Sequence, residues 1–259
     1  MQLKILRIIK GFLALTSFLT IIPTGIHNLE YASSYFYLVP IIGLIEGFLI
    51  SIPLLLPISK LMASCLVLVL MYLITGFNHV DGFEDFVDAL VSGKKGEEAL
   101  RIMKSSSRGA VAVVSTVLLV IVMFSSLHNL YLTMDKNSLI LVLSTVHILS
   151  AESMFVLSSI SKEPPYPGLG KLFIRSSKKG KLLNLNIFIL MLCILLVLSL
   201  GLSPQLILLM FVPMIISVAI IRKLAHSILG FVSGDVLGFC FEVTRTSIMV
   251  LLSCTIHLI

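Results

Sequence analysis

The strongest constraint on this chain is its series of long apolar runs. Residues 35–56, 61–77, 110–127, 139–157, 185–202, 206–221 and 236–259 are dominated by Leu, Ile, Val and Met and carry very little charge. A bilayer core takes about 20 apolar residues per helix. Strand-type alternation is absent over these stretches, which argues against a β-barrel. The expected fold is therefore all-α: a polytopic helical membrane protein with about seven transmembrane helices. The whole of 1–259 suits a single integral membrane domain, since 58% of the residues are hydrophobic and only 12% charged.

The charges that do occur set a topology. The net charge is +6, which in a membrane protein is first an orientation signal and not a sign of nucleic-acid binding. The segments after residues 77, 157 and 221 are all basic, so all three are expected on the cytoplasmic side of the cell membrane. Seven spans beginning at Tyr35 satisfy that rule. Residues 3–22 carry Lys4, Arg7 and Lys10 and are expected to lie in the membrane interface as a non-spanning helix. No small-residue cleavage site follows them, which argues against a cleaved signal peptide. Cys65, Cys193, Cys240 and Cys254 sit singly in apolar surroundings and are expected as small buried hydrophobes, not as disulfides or zinc ligands.

Acid is scarce except at one place. Residues 78–90 read NHVDGFEDFVDAL, with Asp81, Glu84, Asp85 and Asp88 inside eight residues. On a helix these four fall within an arc of roughly 100°, opposite Phe83, Phe86, Val87 and Leu90. That is an amphipathic acidic helix. Like charges at i,i+4 destabilise a helix, so a compensating cation is expected. Mg²⁺ takes oxygen ligands and often bridges one or two carboxylates to substrate phosphates. A solvated acidic face is the plainer alternative. Insertion costs ~2.5–3.5 kcal/mol per charged residue at mid-bilayer, so the stripe belongs at the cytoplasmic rim. Lys94, Lys95, Arg101, Lys104 and Arg108 follow it and suit phosphate oxygens.

Three further features stand out. The loop 158–184 holds Pro164, Pro165, Pro167, Gly168 and Gly170, which argue against regular helix there. It also holds Lys162, Lys171, Arg175, Lys178, Lys179 and Lys181, read either as an anchor on anionic lipid or as a lid over an anionic substrate. The segment 233–242 places Asp235, Gly238 and Glu242 on one stripe of the last helix. Glu46, within a span, is equally a functional carboxylate or a structural partner. His147 and Glu152 are expected to hydrogen-bond between helices.

In four ordered blocks the chain resembles the cobalamin synthase family, the adenosylcobinamide-GDP ribazoletransferases. Residues 79–88, HVDGFEDFVD, are similar to the family's H-L-D-G-L-A-D-x-x-D-G, with His79, Asp81, Gly82, Asp85 and Asp88 matching. Residues 100–104 resemble L-E-I-M-R/K, and Ser106 and Gly109 fit its continuation. Gly168, Gly170 and Phe173 resemble G-L-G-x-x-F. Gly234, Asp235, Gly238 and Glu242 resemble G-D-T-L-G-A-x-x-E. Departures are Ser105 for Asp, Ser107 for Arg with Arg108 one place later, Ala89 for Gly, Ile21 for Arg, and Glu84 for Ala. Glu84 is hypothesised to stand in for the acid absent at Ser105.

The resemblance implies transfer of adenosylcobinamide-GDP onto α-ribazole or its 5′-phosphate, with release of GMP and a need for Mg²⁺. It implies metal binding by Asp81, Asp85 and Asp88, with Glu84 added. Lys104 and Arg108 would stabilise the departing GMP, and Asp235 or His79 would act as base, His79 being as readily structural. Gly82, Gly168, Gly170, Gly234 and Glu242 would bind substrate, Gly82 by letting phosphate approach the backbone. The implied partners are those two substrates, the lipid bilayer and, as an option, a second copy in a homo-oligomer; nucleic acid is not one. A CDP-alcohol phosphotransferase is a competing reading, although its D-G-x-x-A-R opening is broken here. An ion-coupled transporter using Glu46, Glu152 and Glu242 is another.

Overall fold

A computed structural model describes residues 2–105 and 107–258; Ser106 and Ile259 lie outside the described residues. All regular structure in it is helical. The order is α1 (Gln2–Leu19), α2 (Leu29–Ser34), α3 (Val39–Ile50), α4 (Lys60–Ile74), α5 (Asn78–Val91), α6 (Gly96–Met103), α7 (Ala110–Thr133), α8 (Lys136–Ile160), α9 (Leu169–Ser177), α10 (Gly180–Ser199), α11 (Pro204–Ile228) and α12 (Gly234–Thr255). Short 3₁₀ turns extend α3 at both ends, at Phe36–Leu38 and Ile52–Leu55.

Six stretches are long and apolar enough to cross a membrane: Phe36–Leu55 and helices α7, α8, α10, α11 and α12. A seventh crossing is available only as a broken one, because α4 and α5 meet at an 80° bend. The sequence suggested a plain span over 61–77. The chain instead reverses at Gly76 and Phe77, both left-handed at φ 60° and 61°, and α5 forms the second arm. Helix α1 is not among the spanning stretches.

Local chemistry explains the helix starts. The side chains of Ser59, Asp135, Ser203 and Ser233 each accept a backbone N–H from the first turn of α4, α8, α11 and α12. Pro204 adds the fixed φ suited to a first helical position. The loop expectation for 158–184 fails at α9. Its prolines end at Pro167, and Phe173, Ile174, Ser176 and Ser177 then fall on one buried face, so a short amphipathic helix forms.

Helix α8 is the axis of the bundle, buried on nearly all sides. Gly43 and Gly47, four apart on α3, lie against the α8 backbone at His147 and Ser144, the close approach small residues allow in membranes. Outward-facing Val114, Leu118 and Ile121 of α7 and Phe188, Leu192 and Leu195 of α10 are exposed to the lipid. Interior polar groups are paired between or within helices. His147 Nδ1 and Glu46 Oε2 are 3.3 Å apart, Asn186 Nδ2 donates to Glu152 at 3.0 Å, and Arg245 donates to Glu242 at 2.6 Å. The three glutamates thus have three different partners.

Candidate functional site

The amphipathic face of α5 folds against α12. Phe83 stacks on Phe239 with centroids 5.2 Å apart, and Phe86 meets the same ring edge-on at 5.0 Å. The backbones touch where side chains are absent. A Cβ on Gly82 would lie 2.7 Å from the Asp235 carbonyl oxygen, and one on Gly238 would lie 3.1 Å from the His79 Cα. Gly82 therefore serves helix packing, with α12 against it where a side chain would stand.

The acidic face is open to water only at its start, where Asp81 is exposed; Asp85 and Asp88 are buried. Arg108, at the entry to α7, donates to both Asp81 and Asp85, and its Nε lies 3.5 Å from Glu84. Asp88 accepts the Gly109 backbone N–H at 2.9 Å, which puts a carboxylate at the start of α7. Burial works against the Arg108 charge, but Asp85, Asp81 and Glu84 outweigh it and hold the guanidinium above its usual range. The helix survives its own repulsion because this arginine and this N-terminus answer the four carboxylates.

A cavity of about 520 Å³ opens beside this cluster. Of the sequence-derived candidates, His79, Asp81, Lys104, Gly168, Gly170, Gly234 and Asp235 line it. Asp85, Glu84, Asp88 and Arg108 stand behind Asp81 as its support. Glu242 is apart from them: it is fully buried two turns along α12 and bound to Arg245. The N-termini of α9 and α12 meet at the cavity, and a Cβ on Gly170 would lie 2.7 Å from the Gly234 nitrogen.

Several cavity residues went unread in the sequence. Tyr166 comes from the proline-rich segment, Ser17 and Phe18 from α1, and Ser233 caps α12. Lys171, in the first turn of α9, belongs to the basic set expected as a lid or a lipid anchor. Lys104 Nζ sits 4.3 Å from the Tyr166 ring centroid. Burial first, and then the Asp235 carboxylate, hold the Tyr166 phenol above its ordinary range. Phe18 stacks on Phe173 at 4.7 Å, which makes α1 a wall of the cavity.

A family model described as cobalamin-5-phosphate synthase matches residues 11–253. The chain belongs to the cobalamin-5-phosphate synthase family. That match takes in every residue of the cavity and of the Arg108 cluster. Among similar proteins of this synthase family, an adenosylcobinamide-GDP ribazoletransferase of Clostridium botulinum (strain Alaska E43 / Type E3) is 31% identical over 92% of this chain and 94% of its own length. One from Methanosarcina mazei is 25% identical over 93% and 90%. A third, from Clostridium perfringens (strain 13 / Type A), is 37% identical over 47% and 49%. No solved structure matches. Membership of the synthase family sets aside the CDP-alcohol phosphotransferase and transporter readings.

Proposed function

We propose that the chain transfers adenosylcobinamide-GDP onto α-ribazole or its 5′-phosphate and releases GMP. One observation carries the reading within the site: Lys104, Lys171 and two helix N-termini converge on a cavity that also presents Asp81 and Asp235. Helix N-termini and lysines favour a diphosphate, while the carboxylates suit a cation and a proton acceptor. In this chemistry the ribose hydroxyl oxygen bonds to the phosphorus that stays with cobinamide. The bond from that phosphorus to the GMP oxygen breaks, and the hydroxyl proton goes to Asp235. His79 faces the same cavity as a second acceptor. Lys104 and Lys171 neutralise charge on the departing GMP.

The acidic residues fit Mg²⁺ by donor type. Asp81 and Asp85 already direct one oxygen each at a single cationic group, Arg108. Among the described residues no group of three or more His, Cys, Asp or Glu side chains forms a closed metal cage. Mg²⁺ sites are commonly built from one or two carboxylates and completed by substrate phosphates. Asp81 and Asp85 would hold the ion, with Asp88 and Glu84 fixing Arg108 and the helix around them. Bound there, Mg²⁺ would neutralise diphosphate oxygens and ease departure of GMP.

The cavity lies at the end of the bundle that carries the basic loops, which supports a cytoplasmic orientation in the cell membrane. The test is reconstitution in lipid nanodiscs with adenosylcobinamide-GDP and α-ribazole, scored by GMP release with Mg²⁺ and with EDTA. Release that requires both substrates supports the reading. No release under any metal condition overturns it.

A further inference from the structure

Arg245 is wholly buried in the membrane interior, where a charge is costly to keep. It donates to Glu242 at 2.6 Å and reaches across to the Met71 carbonyl at 3.4 Å. Its guanidinium lies 4.8 Å from the Tyr72 ring centroid and 5.3 Å from that of Phe241. Both Met71 and Tyr72 belong to the last turn of α4, immediately before the bend. A helix end leaves its final carbonyls without intrahelical partners. At this end Phe77 N takes the Tyr72 oxygen at 3.1 Å, Gly76 N takes that of Leu73 at 2.9 Å, and Ile21 N takes that of Ile74 at 2.8 Å. The Met71 carbonyl accepts both from the Thr75 hydroxyl, at 3.4 Å, and across the helices from Arg245.

The same side chain touches the site by a second route. Phe241, under the guanidinium, stacks on His79 with centroids 4.2 Å apart and planes 30° apart. His79 is in the first turn of α5 and lines the cavity. Glu242 Oε1, Arg245 Nε and the Tyr72 hydroxyl are buried without hydrogen-bond partners. A pair kept in the membrane with such incomplete satisfaction is a poor stabiliser, which leaves geometry as its contribution.

We infer that Arg245, held by Glu242, is a positioning residue for the transfer reaction. It fixes the bend between α4 and α5 against α12, and through Phe241 it sets where His79 and Asp81 stand in the cavity. The inference rests on the ribazoletransferase reading above.

The deciding variant is Glu242→Leu with Arg245→Met, which removes both charges and keeps the volume. Replacing a buried ion pair by apolar side chains is commonly neutral or stabilising. The expected result is a protein that melts at or above the wild-type temperature, with kcat about 10- to 100-fold lower and KM little changed. A folded double variant with wild-type kcat overturns the inference. Should that variant not fold, Arg245→Lys decides. Lysine can serve Glu242 or Met71 but not both, so kcat falls at unchanged KM; wild-type kcat in that folded variant also overturns it. Wild-type protein that releases no GMP at all points instead to failure of the functional reading.

Discussion

At the residue scale, Arg108 decides what the acidic stripe can do. It ties Asp81 and Asp85 together and places their oxygens beside the cavity. Neutralising one of them removes a partner for the arginine and, on the proposed function, a ligand for a cation. Asp85→Asn should lower GMP release on the order of 100-fold, measured at saturating Mg²⁺ with the fold checked by thermal unfolding. Glu84→Ala tests whether the extra carboxylate substitutes for the acid absent at Ser105. Its side chain is 20% exposed and near Arg108 Nε, so a weaker apparent affinity for Mg²⁺ is expected. Unchanged Mg²⁺ titration would reject that role. Asp88 does a different job from its neighbours, since it accepts the Gly109 N–H. Asp88→Ala should cost about 1–3 kcal/mol of stability, read as a lowered melting temperature.

At the element scale, the crossing of α5 and α12 carries the site. Glycines at 82 and 238 let the two backbones meet, and that contact brings Asp81 beside Asp235. An added methyl at Gly82 would strike the Asp235 carbonyl at 2.7 Å. Gly82→Ala should therefore push the helices apart, at about 1–3 kcal/mol, and reduce turnover with it. Gly168 has nothing within 4 Å of an added Cβ, so Gly168→Ala should leave the melting temperature close to wild type. Equal melting temperatures for both variants would contradict this account of the crossing. The acid spacing made α5 legible as an amphipathic helix. It did not reveal that Phe239 packs against the apolar face while Arg108 covers part of the acidic one, since both groups come from other helices or their entries.

At the scale of the whole molecule, orientation is the open variable. The segment holding Lys94 and Lys95 and the loop at Lys178 and Lys179 belong to the cavity end, whereas the α7–α8 turn and the α10–α11 turn belong to the other. In a cysteine-free background, single cysteines at Lys94 and at Lys179 should react with a membrane-impermeant thiol reagent only after the cytoplasmic face is opened. Cysteines at Lys136 and Gln205 should react in intact cells. The reverse pattern would place the cavity on the outer face. Most spans were visible from composition alone, because each long apolar run needs the bilayer. The exception was α4, too short to cross unbent; the short amphipathic helix α9, which is not a span, was hidden behind prolines that stop just before it begins.

The amino-acid order by itself determined the membrane class, most of the apolar crossings, the acidic helix and the family. Those depend on local hydrophobicity and on spacing within single segments. Tertiary structure alone decided that Arg108 answers Asp81 and Asp85, that α1 walls the cavity, and that Arg245 reaches the Met71 carbonyl. Each is a contact between segments distant in sequence, and only packing of the helices against one another brings such groups within hydrogen-bonding reach.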